Sequence, residues 1–276
     1  MTPLRFLHIP KTAGTTFTNI LKRQYVRKKK FEFTGNMALD LKRFESLPES
    51  DKEQIELFTG HAPIVTGVNQ ADNATIITFL RDPISRVKSF CQHVSEGKSP
   101  CLIDNFPPKT FNLDTFLESG YGELSNLQTQ MLVNHWGESG SSISIKNMPD
   151  SEVIDIALYS LFNKVSYFGL QEYFDESLMI FSSAMKWRIP LYTAENKKST
   201  SKLIKFERRH LERIAELNAI DIEVYKVAKE KFISKFNSIA FNKKKLKSFQ
   251  LINNPASILI KNGKEIIRLT KYFNRS

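Results

Sequence analysis

The stretch Leu4-Arg5-Phe6-Leu7-His8-Ile9-Pro10-Lys11-Thr12-Ala13-Gly14-Thr15-Thr16-Phe17 constrains the fold of this chain more than any other. A short apolar run stops at a proline. A lysine, a glycine and three threonines then crowd into six residues, and a helical apolar pattern follows at once. That order predicts a strand, a tight loop and a helix N-terminus. The first turn of a helix leaves backbone N–H groups without partners and carries the positive end of the helix dipole, so the junction is a ready anion site. Lys11 adds a point charge, and Thr12, Thr15 and Thr16 add neutral donors. The plainer alternative is a strand-to-helix turn with an ordinary threonine cap.

A second junction of the same kind lies some seventy residues on. Thr75-Ile76-Ile77-Thr78-Phe79-Leu80 is a continuous β-branched and apolar run, the pattern of a buried parallel strand. It leads into Arg81-Asp82-Pro83-Ile84-Ser85-Arg86-Val87-Lys88-Ser89. Pro83 suits the first turn of a helix and Asp82 its cap. Arg81, at the strand's end, and Ser89, two turns into the helix, can converge on one anion through a forked guanidinium and a hydroxyl. Arg86 reads as a structural ion-pair partner, with Asp82 as its candidate. Between the two junctions, Glu56-Leu57-Phe58-Thr59-Gly60-His61 places a histidine just past a short apolar strand. Histidine is the side chain whose ordinary pKa suits a general base near neutrality. His8 reads as a packed strand residue, His93 as a second cleft histidine, and His135 and His210 as helix-surface residues.

The first loop is not a Walker A loop, in which lysine follows the second glycine; here Lys11 precedes Gly14 by three positions. The order Pro-Lys-Thr-Ala-Gly-Thr-Thr after a strand resembles the 5′-phosphosulfate loop of sulfotransferases that use 3′-phosphoadenosine-5′-phosphosulfate (PAPS). The likeness is to the membrane-type carbohydrate enzymes, including the heparan sulfate 2-O type, and their bacterial relatives. Arg-Asp-Pro-x-x-Arg-x-x-Ser resembles the 3′-phosphate element of the same family, and Gly60-His61 the position of its catalytic base. The resemblance implies PAPS as donor and a carbohydrate or other hydroxyl as acceptor. It assigns Lys11, Thr12, Ala13, Gly14, Thr15 and Thr16 to the 5′-phosphosulfate, Arg81 and Ser89 to the 3′-phosphate, and His61 and Lys11 to catalysis. Ser125 to Leu132 resembles an Asn-x-Gln-Thr helix near the acceptor, which makes Asn126 and Gln128, with His93, substrate candidates. Phe168 to Leu178 resembles a late strand-helix junction of the family.

The wider chain predicts an α/β fold: a P-loop-like parallel sheet flanked by helices on both faces, in one domain over residues 1–240. Strands are expected at about Leu4–His8, Glu56–Thr59, Thr75–Leu80 and Val165–Gly169. Helices are expected at about Thr15–Lys29, Pro83–Val94, Leu113–Glu118, Leu124–Asn134, Asp150–Phe162, Glu172–Trp187 and Leu211–Phe236, the last with a break near Asn218. Residues Phe31 to Glu53 read as mixed helix and loop, Gly97 to Pro108 as a surface loop over the cleft, and Gly137 to Ser144 as a connection. The net charge of +11 is uneven, because residues 241–276 hold nine Lys/Arg against one acid. This basic extension reads as helical and as a possible contact for a polyanion or an anionic membrane surface.

No apolar run approaches the roughly 18 to 20 residues that span a bilayer, and no signal-peptide pattern opens the chain. The animal enzymes of this resemblance carry an N-terminal anchor, so the expectation is a soluble, cytoplasmic, bacterial-type protein, or one lacking its anchor. Two cysteines, Cys91 and Cys101, are expected as thiols, and no spacing suggests a metal site. No nucleic-acid signature accompanies the charge. Two other functions stay open at this point: a nucleotide-dependent kinase, and a non-catalytic binder of anionic glycans or membranes.

Overall fold

The computed structural model of the chain describes residues 2–134, 148–193, 203–238 and 245–253. The Gly137–Ser144 connection, His135 and most of the basic extension lie outside the described residues.

Five strands form one sheet: β1 Leu4–Leu7, β2 Lys29–Phe33, β3 Ile55–Gly60, β4 Thr75–Leu80 and β5 Tyr167–Leu170. Their order is β2-β3-β1-β4-β5, and every neighbouring pair is parallel. The chain leaves β1 toward one edge, through α1 (Gly14–Gln24), β2, α2 (Met37–Glu45), α3 (Glu49–Lys52) and β3. It then crosses by α4 (Asn69–Asp72) to β4 on the other side of β1. This reversal about β1 opens a crevice at the carboxyl ends of the strands, where ligands of open parallel sheets bind.

Side-chain alternation sorts the layers. Phe6 and Phe79 share one face, where Phe17 of α1 meets both rings at centroid distances of 4.7 and 4.9 Å. Phe181 of α9 (Phe174–Met185) joins the same cluster, 5.5 Å from Phe17. Phe168 faces the other way and meets Phe232 of α11 (Ala219–Ser238) at 6.2 Å. Helices therefore cover both faces, as the alternating pattern requires. On the side of β4, α5 (Pro83–Ser95) packs with α6 (Leu113–Leu117) and α10 (Arg208–Leu217) around Val87, Phe90, Phe116 and Ile214. Two further helices, α7 (Leu127–Leu132) and α8 (Asp150–Tyr159), contribute Leu127, Met131, Val153 and Ala157 to the main core.

Several expectations need correction. The mixed segment after α1 contains strand β2. Its only buried positions are Phe31 and Phe33, between exposed Lys29, Lys30 and Glu32, so the strand signal is confined to two residues of an edge. Helix α1 ends at Gln24, short of the expected Lys29. Lys28 and Lys29 pair with Glu56 and Asp51 at 2.6 and 2.5 Å. His210 is not a surface residue. It is buried, its Nδ1 accepts from the Glu207 N–H, and its Nε2 lies 3.0 Å from Asp114 Oδ1. The break at Asn218 is real: its side-chain nitrogen donates to the carbonyls of Leu124 and Ile214, between α10 and α11. The basic extension also begins inside the packing, because residues 245–253 are helical and Phe249 is buried beside Tyr192. Both cysteines are free thiols. Among the described residues no helix is long and apolar enough to cross a membrane.

Candidate active site at the strand ends

A cavity of about 640 Å³ lies at the carboxyl edge of the sheet. Each of the five strands delivers to its lining a residue at or just past its last position: Thr34 after β2, His61 after β3, His8 after β1, Arg81 after β4 and Gln171 after β5. Ser89 and His93 reach it from α5, and Ser99 and Glu123 from the loops beyond.

The first loop is built to leave its N–H groups available. Lys11 and Ala13 both take the left-handed conformation, with φ of 68° and 71°. Non-glycine residues seldom adopt it, and its alternation with right-handed residues is the backbone form of anion-binding nests. No side chain caps α1, and no acid lies in its first turn. The threonine-cap alternative is therefore excluded. Thr12 points inward, fully buried, and its hydroxyl donates to the Ile9 carbonyl at 2.8 Å. It braces the loop and is absent from the cavity lining, which corrects its assignment as a side-chain ligand. Lys11, Ala13, Gly14, Thr15 and Thr16 all line the cavity. Burial, with Arg81 and Lys98 nearby, lowers the Lys11 ammonium to about 8.

Gly14 makes room for a histidine. A Cβ at this position would lie 1.6 Å from His8 Nε2, so the imidazole sits directly on the helix start. The His8 ring stacks on Phe6 at 5.2 Å and lies tilted against His61 at 4.3 Å. Burial, with His61 and Lys11 beside it, pushes His8 down to about 3, which keeps it neutral. His8 is a packed strand-end residue, as expected, and it also forms a wall of the cavity.

His61 follows Gly60, whose φ of 105° and close approach to Phe33 suit only glycine: a Cβ there would lie 2.0 Å from the Phe33 carbonyl oxygen. His61 Nδ1 lies 2.9 Å from the His8 carbonyl oxygen. That oxygen can only accept, so Nδ1 carries the proton and the ring's lone pair is at Nε2. Burial holds the pKa of His61 below the ordinary 6.5. A neutral imidazole with its basic nitrogen defined is ready to take a proton.

Arg81 joins the two halves of the site. Its Nη1 donates to the Lys11 carbonyl at 3.0 Å, while its Nε is buried without a partner among the described residues. Gln128 brackets its backbone, accepting from the Arg81 N–H and donating to the Arg81 carbonyl, both at 2.9 Å. Gln128 is thus buried and committed to Arg81, which corrects its reading as an acceptor contact. Asn126 is likewise committed, since its Oδ1 accepts from the Asp221 N–H at 3.0 Å, and it does not line the cavity. Asp82 caps α5 as expected, accepting from the Ser85 N–H at 2.8 Å. Arg86 does not pair with the Asp82 carboxylate. It is fully buried and donates to the Glu123 carbonyl at 2.7 Å. Ser89 and His93 line the cavity as read, and Lys11, Lys98 and burial lower His93 to about 4.

Sequence reasoning missed Thr34, Gln171 and Glu123. The first two immediately follow strands, so correct strand ends would have found them. Glu123 sits in a single 3-10 turn, Gly122–Leu124, and carries no sequence signal of its own. Among the described residues no cluster of His, Cys, Asp or Glu could hold a metal ion.

Residues 2–112 match the model of the Sulfotransferase family. The match holds the Lys11 loop, His61, Arg81 and Ser89, that is, most of the cavity. The chain is also similar to chicken heparan-sulfate 6-O-sulfotransferase 2, at 25% identity over 84% of this chain and 67% of that protein. Against the human protein of the same name it is 26% identical over 84% of this chain, and it spans 44% of that protein's length. These relatives are 6-O enzymes, whereas the loop motif resembles the 2-O type. The mouse sulfotransferase SULT7A1 complexed with PAP aligns over 90% of this chain and 88% of that one, at 10% identity and a TM-score of 0.39. That likeness is too slight to bear on the site.

Proposed function

We propose that this chain transfers a sulfuryl group from PAPS to a hydroxyl of a carbohydrate acceptor. One observation carries the reading: all five strand ends converge on a cavity that joins an uncapped helix start, a left-handed loop, a buried arginine nitrogen without a partner and a neutral histidine. The arginine nitrogen and the loop N–H groups fit a ligand with two anionic ends, since buried donors left unpaired are costly. The relatives named for heparan sulfate favour a glycan as acceptor.

The donor supplies an activated sulfuryl group whose sulfur accepts the acceptor oxygen as the bond to the phosphate oxygen breaks. His61 Nε2 takes the acceptor's hydroxyl proton as that oxygen attacks. Nδ1, held on the His8 carbonyl, spreads the resulting positive charge onto a fixed dipole. Lys11 faces the leaving phosphate and balances the charge that gathers there. The α1 N-terminus holds the 5′ end, and Arg81 with Ser89 holds the 3′-phosphate. Water exclusion by the half-closed cavity limits loss of the sulfuryl group to hydrolysis.

The test is transfer of radiolabelled sulfate from PAPS to a panel of glycans, by wild type and His61→Ala. Loss of roughly a hundredfold or more in turnover, with adenosine 3′,5′-bisphosphate binding retained, is expected of a general base. ATP binding tighter than adenosine 3′,5′-bisphosphate, and dependent on magnesium, would instead indicate a kinase.

A further inference from the structure

Glu123 is the one carboxylate among the described residues that line the cavity, and it stands in a site otherwise furnished for anions. It is not there by looseness. The Gly122–Leu124 turn is fixed by the Arg86 guanidinium, which donates to the Glu123 carbonyl from a fully buried position. Arg86 itself is balanced from below by Asp221 of α11. The carboxylate thus shares the cavity with Lys11 and Arg81, has Arg86 behind it and Tyr121 beside it, and His8, His61 and His93 complete the titratable lining.

We infer that Glu123 is a proton-linked counter-charge of the anion site: it balances Lys11 while the cavity holds no anion, and takes up a proton from solvent when a phosphate-type ligand enters. An arriving dianion claims Lys11 and the loop N–H groups and adds its own negative field. An ionised Glu123 would then face like charge in a half-buried space, where charges interact strongly. Protonation removes that repulsion and turns the carboxyl into a donor. Burial already raises the Glu123 pKa, which acts in the same direction. The residue therefore tunes how tightly the site holds anions, and makes their release easier as pH rises. This inference rests on the anion-site reading of the cavity.

Titration calorimetry with adenosine 3′,5′-bisphosphate, in buffers of different ionisation enthalpy near pH 6 to 7, reads the proton count directly. Wild type is expected to take up protons on binding, and Glu123→Gln to take up fewer while binding about threefold to tenfold tighter at pH 8. Glu118→Gln serves as control, because Glu118 pairs with Arg213 and is not part of the lining. Equal proton uptake and equal affinity in wild type and Glu123→Gln overturns the role of Glu123 and leaves the donor reading intact. No binding by wild type overturns both. Should Glu123→Gln fail to fold, wild type decides alone: absence of proton uptake between pH 5.5 and 7 overturns the inference.

Discussion

The packing of His8 on the start of α1 makes Gly14→Ala a sharp test of the site. Gly14 is helical and its φ is not in the left-handed range, so backbone preference alone favours alanine by about 1 kcal/mol. Space opposes it. The new Cβ would lie 1.6, 2.0 and 2.5 Å from three atoms of the His8 ring, whereas ordinary contact begins near 3.4 Å. The ring would have to retreat by nearly 2 Å, and the Phe6 and His61 rings are packed against it. Overpacking of a closed site costs typically about 1–3 kcal/mol, which exceeds the helix gain at the upper end and cancels it at the lower. The net loss of stability is therefore about 0–2 kcal/mol. The functional loss is larger, because displacing His8 moves both the carbonyl that orients His61 and the N–H groups of the anion loop. Urea unfolding gives the first quantity, and calorimetry with adenosine 3′,5′-bisphosphate and a sulfate-transfer assay give the second. His8→Ala in the Gly14→Ala background should restore stability, since it removes the obstructing ring. A Gly14→Ala protein with wild-type affinity and turnover would refute the argument that the His8 seat organises the site.

Arg81→Ala should weaken adenosine 3′,5′-bisphosphate by about tenfold or more and adenosine 5′-phosphosulfate much less, because a charged hydrogen bond is worth about 1.5–3 kcal/mol; equal weakening in calorimetry would remove Arg81 from the 3′-phosphate. The pH profile of kcat/KM should be bell-shaped. Its acid limb should lie below the ordinary histidine value of 6.5, since His61 must be unprotonated and burial lowers its pKa. Its alkaline limb should fall from about 8, as Lys11 loses the proton that keeps it cationic. A profile still rising at pH 9 would show that the Lys11 charge is not needed.

What the sequence made legible follows from where the signals lie. The β1 loop and the β4 loop each compress strand, turn chemistry and helix start into about a dozen residues, and both fold as read. Asp82 caps α5, and Lys11, His61, Arg81 and Ser89 reach one cavity. Gln128 and Asn126 were misread because the same polar residues suit a ligand or a buried backbone, and only tertiary partners decide between them. Strand β2 was missed because an edge strand buries one face over only two residues. Glu123 reaches the cavity through a long-range fold contact that no local pattern encodes.

Those tertiary partners also join the two proposed anion elements, which are distant in sequence. Asp221 of α11 accepts from the backbone N–H groups of Gln128 and Thr129 at 3.1 and 2.7 Å, holding the start of α7. Gln128 in turn brackets the backbone of Arg81, and Arg81 reaches across to the Lys11 carbonyl. A second tie runs from the Asp82 N–H to Glu172, whose other oxygen accepts from the Tyr225 hydroxyl at 2.7 Å. The cationic end of β4 is thereby fixed at a set distance from the anion loop of β1, with little freedom to adapt. A rigid pair of anion sites gains from a ligand whose two anionic ends match its spacing, because the cost of ordering the site has been met in folding. A ligand with one anionic end leaves the other set of buried donors without partners, which argues for a 3′,5′-substituted nucleotide over one phosphorylated at the 5′ end alone.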